Sequence, residues 1–242
     1  MNFKNLISKF SILFTKFIPS GMPLVILRGA LKGYKLIMGA PAGSGKGISI
    51  IFNLSEPKRL KITTDLISKN FICFDIGANI GIYSLLFSRY SKLVYAFEPL
   101  PRNLSFLHRM LKLNKVKNVI IVPCAVADKN GLSWFKTASN VAEGTLDASG
   151  TQRVSTISLD SFITKRKIRP NLLKIDVEGA ELQVLEGAKN FLIKNKPIII
   201  IETHGALVKQ KCFRFLEQIG YTYFKPIDSN SIKEANDFVI KQ

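Results

Sequence analysis

Carboxylate side chains follow several apolar runs that have the length of β-strands. The acids at or just after the ends of these runs are Asp75, Glu98, Asp176, Glu178 and Glu202. In an open α/β sheet, ligands bind at the carboxyl ends of the strands, near the point where the strand order reverses. The chain carries 17 acidic residues against 35 basic ones, so this gathering of acids predicts a site that binds a ligand or moves a proton.

The glycine-containing turn after the first of these runs narrows the choice of ligand. It reads Asp75-Ile-Gly77-Ala-Asn79-Ile-Gly81, and its glycines let the backbone turn sharply and come close to a ligand. A dinucleotide-binding turn has the order Gly-x-Gly-x-x-Gly instead. Because a carboxylate at Asp75 would repel a pyrophosphate but attract a cation, the turn favours a cationic ligand without phosphate.

Glu98, at the end of the second run, indicates that this ligand is a nucleoside. It follows Asp75 by 23 residues, close to the spacing of about 20 residues at which an acid accepts hydrogen bonds from ribose hydroxyls. S-adenosylmethionine combines an adenosine with a sulfonium and an ammonium group and carries no phosphate. It is therefore the cofactor that the two turns predict together.

Three side chains at the ends of two later runs could take a proton from an acceptor hydroxyl: Asp176, Glu202 and His204. Group transfer to a hydroxyl needs alignment of the reactants and a base, and we expect Asp176 or His204 to be that base. A divalent metal held by Asp176 and Glu202 could acidify the hydroxyl instead, but we expect no metal. Glu178 and Glu181 are also explained as acids favoured at a helix N-terminus.

From about residue 70 onward, strand-length apolar runs alternate with helical patterns. The predicted strands are 71–76, 93–97, 119–122, 172–175, 197–201, 221–224 and 238–240. The predicted helices are 82–90, 102–113, 180–192 and 207–219. Near-continuous apolar strands joined by helices indicate a parallel sheet covered on both faces. Because no helix separates the last two strands, we expect them to pair antiparallel. The predicted fold is a doubly wound, Rossmann-like α/β sandwich with a mixed sheet.

Several segments resemble the FkbM-type methyltransferases, which are class I enzymes that depend on S-adenosylmethionine. These segments are Phe74–Ser84, Ala96–Asn103, Thr156–Phe162, Leu173–Gly187 and Ile200–His204. The resemblance implies a seven-stranded sheet whose last strand is reversed. It also implies transfer of a methyl group to a hydroxyl oxygen of a small molecule, a sugar or a glycolipid.

The resemblance assigns roles along the cofactor. Its methionine part would be lined by Asp75, Gly77 and Asn79, with Gly81 at the start of the following helix. Its adenosine part would contact Glu98 through the ribose, and Pro99, Cys124, Ala125 and Val126 around the adenine. Asp176 would lie beside the sulfonium and the incoming hydroxyl.

Two alternatives from other functional classes remain open at this point. A nicotinamide-dependent oxidoreductase would keep the fold and Glu98, although the third glycine of its motif is missing. A non-catalytic module that binds anions or membranes would account for the basic charge. Nucleic acid is not favoured as a methyl acceptor, because Asp176-Val-Glu-Gly lacks the Asn/Asp-Pro-Pro-Tyr/Phe pattern typical of base amino-methyltransferases.

Composition and charge limit the class of protein, its compartment and its partners. The chain has 242 residues, of which 47% are hydrophobic, enough to form a sizeable core and to exclude a disordered protein. Three scattered cysteines predict buried thiols in a cytoplasmic protein instead of a disulfide framework. The net charge of +18 favours contact with an anionic partner.

The N-terminal segment has an amphipathic pattern. Its apolar residues recur at helical spacing, and no residue before Glu56 is acidic. Residues 1–20 therefore predict either peripheral contact with an anionic membrane, at its inner face, or a helix that packs on its own domain. We expect an extension of helix and strand over residues 1–69 and the methyltransferase domain over residues 70–242.

Two further segments are interpreted as connections. The stretch Ala40–Gly47 resembles a phosphate-binding loop but lacks its first glycine and its final hydroxyl. We interpret it as a turn between strands, followed by a strand at Ile48–Phe52. The polar stretch Ser139–Arg153 is interpreted either as a lid over the acceptor or as a solvated hairpin loop.

Overall fold

The computed structural model describes residues 19, 21–39, 47–137, 144–147 and 149–242. The predicted amphipathic helix within residues 1–18 and the glycine-rich residues 40–46 lie outside these ranges. Within them, every helix is too short or too polar to cross a lipid bilayer.

The elements follow the alternation that the sequence predicts. The extension contains β1 (Pro23–Val25), β2 (Lys35–Ile37), α1 (Ile48–Ile51) and α2 (Pro57–Leu66). The first α/β half contains β3 (Ile72–Ile76), α3 (Ile82–Tyr90), β4 (Leu93–Phe97), α4 (Pro101–Leu113) and β5 (Val119–Val122). An insertion adds β6 (Ala125–Val126), β7 (Gly131–Thr137), β8 (Gly144–Leu146) and β9 (Gln152–Ile157). The second half contains α5 (Leu159–Arg166), β10 (Leu172–Ile175), α6 (Glu181–Glu186), α7 (Lys189–Asn195), β11 (Ile198–Glu202), α8 (Ala206–Gln218), β12 (Tyr223–Pro226) and β13 (Asp237–Lys241).

The main sheet has seven strands in the order β12-β13-β11-β10-β3-β4-β5. Strands β10, β11, β3, β4 and β5 pair in parallel, whereas β13 pairs antiparallel with both β11 and β12. The predicted mixed sheet with a reversed last strand is confirmed. The strand order reverses between β3 and β10, so the carboxyl ends of these two strands flank the crevice where such a sheet binds its ligand.

Apolar side chains cover both faces of this sheet. Successive strand residues point to opposite faces, so Cys73 joins one core with α3 and α4, and Phe74 joins the other with α5, α6 and α8. The described part of the extension belongs to the first core, where Ile26, Leu36 and Leu60 pack. The extension and the sheet therefore share one hydrophobic interior, and the boundary at residues 69 and 70 stays a prediction.

The strand predicted at Ile48–Phe52 is wrong. The segment forms the short helix α1, whose first turn is closed by hydrogen bonds from the amides of Ile50 and Ile51 to the carbonyl of Gly47. Ile48 and Ile51 are buried, and residues three apart share one face of a helix. These two contacts with the core prevail over the β-propensity of the isoleucines.

The helix predicted over 180–192 is divided into α6 and α7. The break lies at Gly187, because the amides of Asn190 and Phe191 donate to the carboxylate of Asp160 instead of continuing a single helix. Asp160 thus satisfies backbone donors at the start of α7, and its own amide donates to the carbonyl of Gly187.

The stretch Ser139–Arg153 is not a plain solvated loop. Its described part contains β8 and the start of β9, which join β7 and β6 in a four-stranded sheet with the order β6-β9-β7-β8. Phe135 pairs with Leu146 across β7 and β8, and both pack in a small apolar cluster. The segment therefore packs partly against apolar residues, which its polar composition does not indicate. The lid stays a prediction, since residues 138–143 lie outside the described ranges.

We predict that Gly187→Ala destabilises the fold by about 1–3 kcal/mol, the usual cost of overpacking. A Cβ atom at this position would lie 2.0 Å from the carbonyl oxygen of Ala127, which is backbone and cannot rotate away. Urea unfolding measures the loss, and Glu186→Ala on the exposed neighbour is the control. An unchanged unfolding midpoint would contradict this packing.

Candidate active site

The turn after β3 is held against the turn after β10. Gly77 has a φ of 75°, and a Cβ there would lie 1.9 Å from the carbonyl oxygen of Asp176. The ammonium of Lys174 donates to the carbonyl of Gly77 at 2.9 Å. Only glycine fits this position, and the close approach fixes one end of the crevice at the point where the strand order reverses.

The carboxylate of Glu98 organises the next part of the crevice. One oxygen accepts from the amide of Asn79 at 2.8 Å. The other accepts from the amide of Leu100 at 2.9 Å and from the side chain of Asn103 at 3.2 Å. Burial raises the pKa of Glu98, and these hydrogen bonds oppose the rise. Glu98 therefore joins the turn after β3 to the turn after β4.

A cavity of about 370 Å³ opens between these turns. Its apolar lining comes from the four-stranded sheet, from β4 and from the turn after β4, and includes Phe97, Leu100, Phe135 and Leu146. Its acidic lining comes from the turns and from the extension, and includes Glu56, Asp176, Glu178 and Glu202. The cavity thus offers apolar side chains that could pack on a flat ring and carboxylates that could hold a positive charge.

Lys174 and Asp75 form a buried support below the turn. The hydroxyl of Ser84 donates to Asp75 at 2.6 Å, and Lys174 lies 3.5 Å from the other oxygen of Asp75. Lys174 also lies 3.4 Å from Asp176. Burial lowers the pKa of Lys174, but the charges of Asp176 and Asp75 outweigh it and raise the pKa. Lys174 consequently stays charged between two acids.

Arg59, from α2 of the extension, lies among four carboxylates and is 2% exposed. It forms an ion pair with Glu202, and its other partners are Asp237 at 3.0 Å, Glu56 at 3.5 Å and Asp176 at 3.6 Å. Burial lowers the pKa of Arg59, but the surrounding charges raise it well above the usual value. The extension therefore supplies the cation that makes this group of acids tolerable inside the fold.

The acids around Arg59 titrate differently. Burial raises the pKa of Asp237 to about 7 in spite of Arg59. Burial and the charge of Asp176 raise the pKa of Glu202. Burial would also raise the pKa of Asp176, but Lys174, Arg59 and His204 hold it below its usual value. Of Asp237, Glu202 and Asp176, Asp176 is thus the acid that stays ionised most firmly.

His204 lies between two acids from the turn after β10. Its Nδ1 is 2.7 Å from buried Glu181, and its Nε2 is 3.2 Å from Glu178. Burial lowers the pKa of His204, but the bond to Glu181 and the charge of Glu178 raise it to about 9. One oxygen or nitrogen from each of Asp176, Glu178 and His204 lies within 4.8 Å of the others, which is a spacing that could hold a metal ion.

The structure brings most of the predicted site residues to this cavity. Those that line it are Gly77, Asn79, Glu98, Pro99, Ala125, Val126, Asp176 and Glu202. Four others lie behind its walls: Asp75, Gly81, Cys124 and His204. Asp75 is fully buried and contacts Ser84 and Lys174, so it can affect the cavity only through neighbouring residues. Burial raises the pKa of the Cys124 thiol to about 11.

The sequence reasoning missed the residues that compensate or support the acids: Arg59, Lys174, Tyr83, Glu56 and Asp237. Tyr83 donates to Glu56 at 2.7 Å, and Arg59 lies 5.1 Å from the centre of its ring. A signal was available for Lys174, since a lysine inside an otherwise apolar strand must be paired. Arg59 gave no such signal, because its helix is polar and its partners are remote in the sequence.

The seven-stranded doubly wound sheet and the crevice at its switch point define a Rossmann-like α/β enzyme. A family model described as the methyltransferase FkbM domain matches residues 75–236, more than half of the chain. The protein belongs to this FkbM methyltransferase family, so the predicted family is confirmed and the chain is a methyltransferase.

Two curated proteins and a solved structure are similar to this chain. The hexuronic acid methyltransferase AglP of Haloferax volcanii is 25% identical over 190 residues, which are 76% of each sequence. A tRNA(Phe) (4-demethylwyosine(37)-C(7)) aminocarboxypropyltransferase of Methanocaldococcus jannaschii is 33% identical over 94 residues, 38% of this chain and 35% of that one. The crystal structure of methyltransferase FkbM from Methylobacillus flagellatus shares the fold with a TM-score of 0.56 at 18% identity. That match covers 76% of this chain but 47% of the other, so the chain spans about half the length of that structure.

We predict that the ion pairs of His204 make stability fall as the pH rises. A pKa raised from 6.5 to about 9 means that the folded state binds the proton more tightly. The contribution is therefore complete below pH 6.5 and is lost by about pH 9, and it amounts to at most about 3 kcal/mol. Urea unfolding across this range measures it.

His204→Gln should remove this slope, whereas His108→Gln, on the exposed face of α4, should keep it. Equal slopes in wild type and His204→Gln would show that the pairs with Glu178 and Glu181 do not stabilise the protein.

Proposed function

We propose that the protein is an S-adenosylmethionine-dependent O-methyltransferase that methylates a hydroxyl of a small molecule, a sugar or a glycolipid. The observation that carries the proposal is the cavity at the switch point, with Glu98 on one side and an excess of carboxylates on the other. Seven carboxylates contact three basic side chains among the described residues of this region. This anionic region in a chain of net charge +18 suits a cationic ligand.

The residues present fit this cofactor. The cavity of about 370 Å³ has the size of sites that take small molecules, roughly 300–1,000 Å³. Oδ1 of Asn79 is buried beside it, and no described residue hydrogen bonds to that atom. A ligand with an ammonium or hydroxyl group would satisfy it. The missing Cβ of Gly77 lets the turn after β10 approach the turn after β3 beside the cavity.

The chain's own residues would bind the cofactor and orient the acceptor as follows. Glu98 would bind the ribose hydroxyls, and Asn79 and Gly77 would border the methionine part. Bound S-adenosylmethionine supplies an electrophilic methyl group, so the protein needs chiefly to align an oxygen with it. Asp176 lines the cavity and stays ionised, which makes it our candidate to orient the hydroxyl and to accept its proton.

Glu202 and His204 complete the proposed catalytic group in different ways. Glu202 lines the cavity, but its carboxylate is paired with Arg59. His204 lies behind Glu178 and, with a pKa of about 9, carries a proton near neutral pH. We therefore assign to His204 the positioning of Glu178 and Glu181 in the turn after β10. A metal at Asp176, Glu178 and His204 is not needed for this assignment.

A sugar acceptor is supported by the relative named as a hexuronic acid methyltransferase. The family match argues against the nicotinamide-dependent oxidoreductase and against a module without catalysis, because both would belong to other classes. We also propose a cytoplasmic location, which the three buried cysteines support.

We predict that the protein binds S-adenosylmethionine and not NAD in isothermal titration. Glu98→Gln should weaken binding by about tenfold to a hundredfold, the usual loss for a charge-assisted hydrogen bond. Glu217→Gln, exposed on α8, is the matched control and should bind as the wild type does. Binding of NAD, or equal affinity of Glu98→Gln and wild type, would contradict the proposed site.

We predict that Asp176→Asn slows single-turnover methylation by about a hundredfold or more, the range of a positioned base. The assay follows a tritiated methyl group from S-adenosylmethionine into sugar and lipid extracts, with bulk tRNA as a further acceptor. Asp65→Asn, exposed at the end of α2, is the control.

The chemistry of the product tests the acceptor atom. A label released by alkali indicates a methyl ester on a carboxylate and would contradict the proposed acceptor, whereas a methyl ether on a hydroxyl resists alkali and is identified by mass spectrometry of the labelled product. A normal rate in Asp176→Asn would remove the assigned role of Asp176.

A further inference from the structure

Exposed apolar side chains lie on two neighbouring segments of the extension. We call them the extension face and define it by the four large apolar side chains Val25, Leu27, Phe52 and Leu54. Each is 42–51% exposed. Single exposed apolar residues are ordinary, but a group of them on one surface marks a contact with another molecule or with a membrane.

Backbone contacts join the two parts of this face. The amide of Leu27 donates to the carbonyl of Ile51 at 2.9 Å, which places Leu27 beside the end of α1 and Phe52. A Cβ at Gly29 would lie 2.3 Å from the side chain of Asn53, so the chain after β1 and the chain after α1 are still in contact two residues later. The exposed apolar side chains that follow β1 and α1 therefore lie on two neighbouring segments.

Cationic side chains accompany this face, one across the ribbon and others close by in the sequence. Val25 pairs with Lys35 across β1 and β2, so their side chains share one side of the ribbon. Arg28, Lys32 and Lys58 are also exposed. The chain contains no acid before Glu56, and apolar side chains among cations are typical of surfaces that rest on anionic lipid.

The position of the face relates it to the cavity. Ile50, Ser55 and Glu56 line the cavity, and Phe52 and Leu54 lie between them in the sequence. A surface in contact with the face would thus be next to the cavity wall that the extension provides.

We propose that the extension face docks on an anionic lipid bilayer, with its apolar side chains among the acyl chains and its cations at the headgroups. The charge argues against the other occupants. A second copy of the chain would bring two cationic faces together, and residues 1–18 carry Lys4, Lys9 and Lys16 without an acid. Like charges in contact oppose both arrangements. Docking requires neither methyl donor nor acceptor, so it does not depend on the proposed function.

Sedimentation with lipid vesicles tests the proposal on the full chain. Wild type should bind vesicles that contain phosphatidylglycerol, bind less as salt rises, and leave vesicles of pure phosphatidylcholine unbound. The double variant Leu27→Ser/Phe52→Ser should bind the anionic vesicles at least about tenfold more weakly, because two apolar contacts are lost. Ile193→Ser/Leu207→Ser removes equally exposed apolar residues elsewhere and should bind as wild type.

A second measurement reports the contact directly. The three native cysteines are buried, so Leu27→Cys can be labelled selectively with a polarity-sensitive fluorophore. Its emission should shift to the blue on addition of anionic vesicles, whereas the same label on Leu207→Cys should not respond.

Equal binding by Leu27→Ser/Phe52→Ser and wild type, or no response of the label at Leu27→Cys, would overturn the proposal and place any membrane contact elsewhere. A dimer of wild type in sedimentation velocity that the double variant abolishes would also overturn it, because the face would then join two copies.

Discussion

The buried guanidinium of Arg59 is the constraint on which the site depends. Four carboxylates from four parts of the chain surround it, and it is almost completely withdrawn from solvent. A buried charge is tolerable only when it is paired, so Arg59 and the acids must fold together. The carboxyl end of β10, the end of β11 and the start of β13 therefore acquire their arrangement only when α2 is in place.

Lys174 is a second buried cation that is paired with acids, beside the turns that we propose to hold the cofactor. It connects the carbonyl of Gly77 with Asp75 and Asp176, and Glu98 connects Asn79 with the turn after β4. The three turns around the cavity are thus joined to one another by charged hydrogen bonds within the protein. Such preorganisation fits a reaction in which alignment provides most of the rate.

The sheet and the cavity-lining acids followed from the sequence because both depend on local patterns. Apolar runs such as Val119–Val122 and the helix Ile82–Tyr90 appear at the predicted bounds, and a strand end such as Glu98 places its side chain by topology alone. The errors came from tertiary contacts. Asp160 lies 30 residues before Asn190, yet its carboxylate determines where α6 ends and α7 begins. Ile48–Ile51 folds as a helix because the core accepts two isoleucines three residues apart. Arg59 is remote in the sequence from most of its partners and contacts them only in the folded structure.

The origin of Arg59 in the extension has a consequence for any exchange of this segment. Without the extension, Asp176, Glu202 and Asp237 would lose the cation that they share and would repel one another. Chimeras that exchange extensions between relatives will accordingly remain functional only where an equivalent cation travels with the grafted segment.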